Sequence, residues 1–193
     1  MRININIKLI LVFLIFISFS CENSSKKVPV ISNALNIHKN EIDAFHFRNQ
    51  FNKDFDFSSL KGNVHLVNFF FTTCKTICPM MEIPINDLAE NNPDVKFISF
   101  TIDPENDSIS VLREYYDRKK NTNRAFLRGT QTALSEIAKY YLSSISDEDD
   151  EVIYHTSYVV LLDNKMRIRG LYNSLDKDDL AFLKKDIPIL LKE

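Results

Sequence analysis

The chain has little glycine and almost no net charge. Its three glycines, Gly62, Gly129 and Gly170, are too few to build a glycine-rich phosphate-binding loop. Its formal net charge of −2 gives no reason to expect nucleic acid as a partner. No internal repeat is found, so the chain is not a repeat protein. Its 193 residues are 45% hydrophobic and 26% charged, which is the balance of one globular domain with a sizeable core.

The N-terminus lacks an apolar run long enough to cross a bilayer comfortably, which takes about 20 residues. Arg2 and Lys8 precede a short apolar stretch at residues 9–19, and a small residue follows it. This order is typical of an export signal, so we expect residues 1–20 to be a signal peptide. Cys21, directly behind, predicts a lipoprotein whose thiol is acylated after cleavage. An uncleaved anchor or ordinary cleavage is the alternative.

The segment behind this signal is polar, and we interpret residues 21–40 as a flexible tether. We expect the folded domain to cover residues 41–193. The protein would then be extracytoplasmic, on the periplasmic side, and held at the membrane through its lipid anchor. Export also places the two remaining cysteines, Cys74 and Cys78, in an oxidising compartment.

These two cysteines stand together in FFFTTCKTICPMM, residues 69–81. A disulfide between them would close a very short loop, which constrains the unfolded chain little, so it would be a poor structural staple. If both lie on a helical turn, their spacing of four residues aims the sulfurs at one face, and a helix N-terminus favours thiolate. Such a pair can close a reversible disulfide or bind a soft metal ion such as Cu(I).

Strand and helix patterns alternate along the chain. Strand patterns occur in a hairpin at residues 44–49 and 54–57, in single strands at 65–71, 95–102 and 125–127, and in a C-terminal hairpin that turns at Asp163-Asn164. Helical patterns occupy about residues 78–90, 108–120, 130–142 and 176–191. This is the layout of a thioredoxin-like domain, although alternation alone permits other α/β folds.

We therefore predict an α/β fold with a mainly parallel central sheet, an N-terminal β-hairpin, an antiparallel C-terminal hairpin and helices on both faces. Cys74 and Cys78 would lie at the carboxyl end of the first long buried strand. Open α/β sheets usually place their sites at that edge.

His155 differs from the other histidines by its position. It stands in YHTSYVVLLD, the stretch that enters the C-terminal hairpin. In thioredoxin-type oxidoreductases a cis-proline stands just before that strand and faces the cysteines, but this chain has no proline between Glu105 and Ile187. A histidine occupies nearly the same place. Two thiolates and an imidazole form a soft ligand set that suits copper in either oxidation state.

The combination of these motifs resembles the Sco/SenC family, copper-binding thioredoxin-like proteins involved in assembling cytochrome c oxidase. The matching pieces are FFFTTCKTICP, TIDPENDS at residues 101–108, FLRG at 126–129 and YHTSYVVLLD at 154–163. They follow the family's order over about residues 43–172. The resemblance implies that Cys74, Cys78 and His155 bind Cu(I) and Cu(II), with Asp103 as a polar residue nearby.

The chain departs from this family pattern at two places. Arg124-Ala125 stands where the family often has an aromatic residue, and the whole chain lacks tryptophan. Tyr154 stands where the family often has an aspartate before the histidine. The missing acid removes one group that could orient the imidazole of His155. Asp103 also has an ordinary interpretation, because Asp-Pro commonly ends a strand and starts a turn.

The family resemblance implies copper delivery to the copper-site subunit of cytochrome c oxidase or to another copper enzyme. A thiol–disulfide oxidoreductase that reduces the cysteines of that copper site, served by a thiol reductant, is the main alternative. A copper or redox sensor is a third. A peroxiredoxin is disfavoured, because the threonine expected three residues before its reactive cysteine is replaced by Phe71 or Lys75.

Overall fold

A computed structural model describes residues 27–31, 46–118, 123–142 and 157–193. The strands in these ranges are β1 (Arg48–Asn49), β2 (His65–Phe70), β3 (Lys96–Thr101), β4 (Arg124–Arg128), β5 (Tyr158–Leu162) and β6 (Ile168–Asn173). The helices are α1 (Ile77–Asn91), α2 (Ile109–Asp117), α3 (Gln131–Leu142) and α4 (Lys177–Leu190), with a short 3₁₀ helix at Phe57–Leu60. Among these residues no helix is long and apolar enough to cross a membrane.

The strands form a mixed sheet in the order β1-β4-β3-β2-β5-β6. β2, β3 and β4 are parallel to one another, whereas β1 and β5 are antiparallel to the strands beside them, β4 and β2, and β6 is antiparallel to β5. The predicted thioredoxin-like α/β class is therefore confirmed, but the parallel part is confined to three central strands. Alternation of strands and helices does not determine the direction in which β5 enters the sheet.

The register of β5 fixes where that strand begins. Val67 of β2 lies opposite Val160, and the two strands are antiparallel. The first residue of β5, Tyr158, therefore lies at the carboxyl end of β2. The chain therefore enters β5 at the end of the sheet where β2 finishes.

The N-terminal hairpin is shorter than the sequence predicts. β1 has two residues, and Asp54 returns beside Arg48 through an isolated bridge. The side chain of Asn49 accepts hydrogen bonds from the backbone N–H groups of Phe51 and Lys53 at 2.9 and 3.1 Å, so it closes the turn directly behind the strand.

Helices cover both faces of the sheet, as predicted. On one face, α3 buries Leu134, Ile137 and Tyr141 against Phe100 of β3. On the other face α1 and α4 pack their apolar sides over Leu66, Phe97, Val159 and Leu161. β2 is buried along its whole length, which explains its near-continuous apolar sequence.

Local sequence signals agree with the helix ends. Ser108 precedes α2 as predicted, and its hydroxyl accepts a hydrogen bond from Val111 N–H at 3.4 Å. Asp176 caps α4 by accepting from the N–H groups of Asp178 and Asp179. Pro84 lies inside α1 without ending that helix.

Part of the predicted tether packs against the domain. Val28 is only 5% exposed and joins the core under α1 and α4. Ile31 N–H donates to the carbonyl of Ile168 at 2.9 Å. Residues 27–31 therefore belong to the folded unit, because the Val28 side chain packs in the core and the Ile31 backbone pairs with β6. The rest of segment 21–40, the signal peptide and Cys21 lie outside the described residues.

His65 is fully buried at the first position of β2. Its Nδ1–H donates to the carbonyl of Asn63 at 3.2 Å, and Nε2 is buried without a hydrogen-bond partner. Burial lowers the pKa of His65 to about 4, although the Asn63 contact and the charge of Asp163 oppose the change. In the unfolded chain the imidazole binds a proton near pH 6.5, whereas in the folded protein it stays neutral down to about pH 4. The free energy of unfolding is therefore unaffected by His65 above pH 6.5 and decreases as the pH drops from 6.5 toward 4.

We expect His65→Leu to weaken this acid sensitivity. A shift from 6.5 to about 4 corresponds to about 3 kcal/mol, which is the part of the loss that the variant should avoid. Urea denaturation at intervals between pH 7 and pH 4 measures it. His46→Gln is the matched control, because the His46 side chain is exposed. The same loss of stability in His65→Leu and in the wild type would contradict this assignment.

Candidate metal centre

The two cysteines lie where β2 passes into α1. β2 ends at Phe70 and α1 begins at Ile77, so Cys74 lies in the connecting loop and Cys78 in the first turn of the helix. Cys78 N–H donates to the sulfur of Cys74 at 3.4 Å. The free N–H groups of a helix start thus face the Cys74 sulfur, which favours a negative charge there.

The two thiols have different surroundings, although both are free. Cys74 is partly exposed and Cys78 is 5% exposed. Burial alone would raise the pKa of Cys74, but hydrogen bonds from Cys78 and Thr76 together lower it below its ordinary value. Burial raises the pKa of Cys78 to about 12, and the neighbouring charges of Cys74 and Glu82 add to this. Cys74 is therefore the thiol that ionises first and meets an incoming reactant first.

An aromatic cluster encloses the inner side of the pair. Cys78 packs with Phe70, Leu112 and Phe126, and Tyr115 lies against this group. The ring centroids of Phe70 and Phe126 are 5.3 Å apart, and those of Tyr115 and Phe126 are 5.4 Å apart. These rings exclude water from one side of the pair. Such a wall suits a soft ion held by sulfur better than a strongly hydrated ion.

A buried ion pair lies one helical turn beyond Cys78. The two Nη atoms of Arg124 donate to the two carboxylate oxygens of Glu82 at 2.8 and 3.0 Å. Both side chains are almost completely buried, and the guanidinium lies 4.7 Å from the ring centre of Phe126. The pair joins the helix that carries Cys78 to β4. Arg124, where the family pattern often has an aromatic residue, thus has a structural role.

Sequence reasoning missed Glu82. Its signal was present, because a residue four positions after Cys78 shares that residue's face of the helix. Met81 and Ile85 on the same helix are buried. A carboxylate on a buried helix face calls for a cationic partner, and the chain supplies one in β4.

Asp107 supports the cysteine loop more directly than Asp103 does. Its fully buried carboxylate accepts hydrogen bonds from the backbone N–H of Thr72, at 3.2 Å to each oxygen, and from the hydroxyls of Thr72 and Thr101. Asp103 is half-buried and accepts from the side chain of Asn106 at 2.8 and 3.0 Å, within the turn behind β3. Its contacts here are those of a turn residue. Sequence reasoning selected the first aspartate of TIDPENDS and overlooked the second.

His155 lies outside the described residues, so its place relative to the cysteines stays a prediction. Within the ranges described, no group of three or more histidine, cysteine, aspartate or glutamate side chains is arranged to hold a metal ion. These ranges supply the two thiols of the candidate centre. The third ligand predicted from the sequence, His155, lies outside them.

The chain is similar to known proteins in both sequence and fold. The family model described as SCO1/SenC matches residues 34–186. A SCO1/SenC family lipoprotein from Bacillus anthracis str. Ames has a TM-score of 0.66 and 26% identity, covering 76% of this chain and 92% of its own. BsSco is described as having a disulfide switch and as a member of the Sco family of cytochrome c oxidase assembly proteins. It has a TM-score of 0.61 and 31% identity, covering 75% and 91%.

A third solved structure has a lower identity. ScoI from Arabidopsis thaliana, solved with copper bound, has a TM-score of 0.60 and 21% identity, covering 75% of this chain and 96% of its own. At that identity the likeness shows a shared fold. All three structures share the thioredoxin-like arrangement described above.

We expect Arg124→Leu to destabilise the fold strongly, because it leaves the buried Glu82 carboxylate without the guanidinium that balances its charge. Breaking a buried pair in this way costs about 3–5 kcal/mol. The double variant Glu82→Leu/Arg124→Leu should recover most of the loss, since both charges leave together. Urea denaturation at pH 7 measures the free energy of unfolding.

Lys184→Ala is the control for this prediction. It breaks the Lys184–Asp87 pair, whose side chains are 54% and 50% exposed, and should cost less than about 1 kcal/mol. An Arg124→Leu variant as stable as Lys184→Ala would show that the buried pair does not hold α1 to β4.

Proposed function

The chain belongs to the SCO1/SenC family, and on that premise we propose that it is a metallochaperone that binds copper and delivers it during assembly of cytochrome c oxidase or of another copper enzyme. The observation that carries the proposal is the pair of free sulfurs at the head of α1. One of them is accessible and readily ionised, and the other lies against an apolar wall. Two relatives support it, a Sco protein solved with copper and a Sco protein of the oxidase-assembly family.

The proposed copper ligands are Cys74, Cys78 and His155. Two thiolates suit Cu(I), and the imidazole adds a nitrogen that Cu(II) favours. The course of β5 supports His155, because that strand begins with Tyr158 at the carboxyl end of β2, the edge where the cysteines lie. Three residues of extended chain span about 11 Å at most, so a ligand at His155 would be within reach of the cysteines at that end of the sheet.

The difference between the two thiols suggests how copper enters and leaves. Cys74 captures the ion first, since it is accessible and its pKa is lowered. Cys78 then loses its proton as the second Cu–S bond forms, so binding should tighten as the pH rises. A thiolate of the recipient protein can replace Cys74 first, because aromatic side chains shield Cys78. Copper then passes by ligand exchange without leaving sulfur coordination.

We also propose where this transfer takes place. Residues 1–20 would be removed as an export signal, and Cys21 would carry lipid. The domain would then act on the periplasmic side of a membrane, close to a membrane-bound recipient. A family member from Bacillus anthracis is described as a lipoprotein, which supports this assignment.

A second candidate function is thiol–disulfide exchange. The disulfide switch described for BsSco favours it, as does the pairing of an accessible thiol of lowered pKa with a buried one. Cys74 thiolate would attack a disulfide of the recipient copper site, form a mixed disulfide and release one thiolate. Cys78 would then attack the Cys74 sulfur, lose its proton and release the second thiol. The recipient gains two electrons, and a thiol reductant restores the Cys74–Cys78 disulfide to two thiols.

We expect the reduced protein to bind one Cu(I) per chain, and Cys74→Ser or Cys78→Ser to abolish this binding. A single sulfur with an imidazole offers too few soft donors to compete for Cu(I). Anaerobic titration against a chromogenic Cu(I) chelator measures the stoichiometry. Thr73→Ser, an exposed change in the same loop, is the matched control and should bind like the wild type. Equal copper occupancy in either serine variant and the wild type would overturn the metal centre and favour the exchange reaction.

A further inference from the structure

Residues 27–31, here called the N-terminal strap, lie against the edge of β6 (Ile168–Asn173). Val28 is buried in the core under α1 and α4, and Ile31 N–H donates to Ile168 O at 2.9 Å. Val30, between them, is 45% exposed. The strap is therefore held by one buried side chain, that of Val28, and by the backbone hydrogen bond of Ile31, while the side chains of Val30 and Ile31 are exposed. Pro29 is tolerated there because edge positions do not need every N–H group.

Arg169 holds the strap from inside the domain. It is 3% exposed, and its Nε–H donates to the carbonyl of Pro29 at 3.1 Å. Nη1 donates to Asp163 at 2.8 Å and to Glu193 at 2.6 Å. Nη2 donates to Glu193 at 2.9 Å and to the carbonyl of Val28. The guanidinium has five N–H donors, and these contacts supply an acceptor for each.

Two of those five acceptors are carbonyls of the strap. Without the strap, the buried guanidinium of Arg169 would keep two donors with no partner in the protein, which is unfavourable. The two carboxylates balance the charge of Arg169 but do not replace these carbonyls. The carbonyls of Val28 and Pro29 thus complete the set of acceptors around the Arg169 guanidinium.

The strap lies near the amino end of β2, whereas the cysteines follow the carboxyl end of that strand. β6 is antiparallel to β5, and β5 is antiparallel to β2, so β6 and β2 run in the same direction. Ile168 and Arg169 begin β6 and lie at the amino end of β2. Cys74 follows the carboxyl end of β2. The six residues of that strand span about 20 Å.

We propose that the strap is an orienting clasp that turns the cysteine edge of the domain away from the membrane. This rests on the proposed lipid anchor at Cys21. Six residues lie between Cys21 and Val28, and the seven residue steps from one to the other span about 25 Å at most. The strap fixes the end of this short connecting segment near the amino end of β2. The copper-binding end of the domain then points away from the membrane surface.

The first arm of the test measures the clasp itself. In the full-length protein, the amide of Ile31 should be protected from hydrogen exchange. Val28→Asp should raise its exchange rate at least tenfold, whereas Val30→Asp, a change at an exposed side chain of the same strap, should leave it unchanged. Ile31→Pro, which removes the N–H donor, is the second releasing variant and is compared in the vesicle measurement below. Free exchange of Ile31 in the wild type would overturn the clasp.

The second arm measures orientation on vesicles of phosphatidylethanolamine and phosphatidylglycerol. A dye on Cys74, in a Cys78→Ser background, is the donor, and labelled headgroups are the acceptor. We expect energy transfer to be low with the intact strap and with Val30→Asp, and at least twofold higher with Val28→Asp and Ile31→Pro. Equal transfer in all four proteins would overturn the orienting role. A full chain that does not bind vesicles would refute the lipid anchor and with it the orienting role, while the exchange arm still decides whether the clasp exists.

Discussion

The carboxylate of Asp107 fixes the point from which the cysteine site is built. It accepts hydrogen bonds from the backbone and hydroxyl of Thr72 and from the hydroxyl of Thr101. It thereby joins the end of β2 to the end of β3, two residues before Cys74. With the loop held there, the first turn of α1 can direct the N–H of Cys78 at the Cys74 sulfur. The buried pair of Glu82 and Arg124 then secures the same helix one turn further on.

The resulting site is asymmetric, and its asymmetry suits two kinds of chemistry. A partly exposed thiol of lowered pKa beside a buried thiol can capture a soft ion and pass it on, or it can open a disulfide and then be resolved. The described part of the chain contains the two thiols that both reactions need. What distinguishes them is the third ligand, because imidazole contributes to copper binding and is not required for thiolate attack. The position of His155 in sequence, three residues before β5, is therefore the feature on which the choice between the two functions depends.

Much of the fold could be predicted because local patterns determine it. The apolar run of β2, the Ser108 cap of α2 and the turn at Asp163-Asn164 all depend on neighbouring residues, and they lie where the sequence predicts. The direction of β5 could not be predicted, since a long connection precedes it. The Glu82–Arg124 pair joins residues 42 positions apart, and no local signal selects that partner. Which aspartate of TIDPENDS turns inward depends on the turn itself, so Asp107 was missed. The polar sequence of residues 21–40 predicts a tether, and no local signal indicates that the strap packs on Arg169, which lies about 140 residues away.

We propose that the chain delivers copper through a site that includes His155. The decisive measurement is assembly of the copper enzyme in cells that carry His155→Ala. Purified His155→Ala should bind copper more weakly, most of all Cu(II), and should keep disulfide exchange through Cys74 and Cys78. In cells, the account predicts that oxidase activity and the copper content of the oxidase are lost. Wild-type assembly in this variant, with its copper binding shown to be lost, would contradict the account and identify the pair as a redox switch.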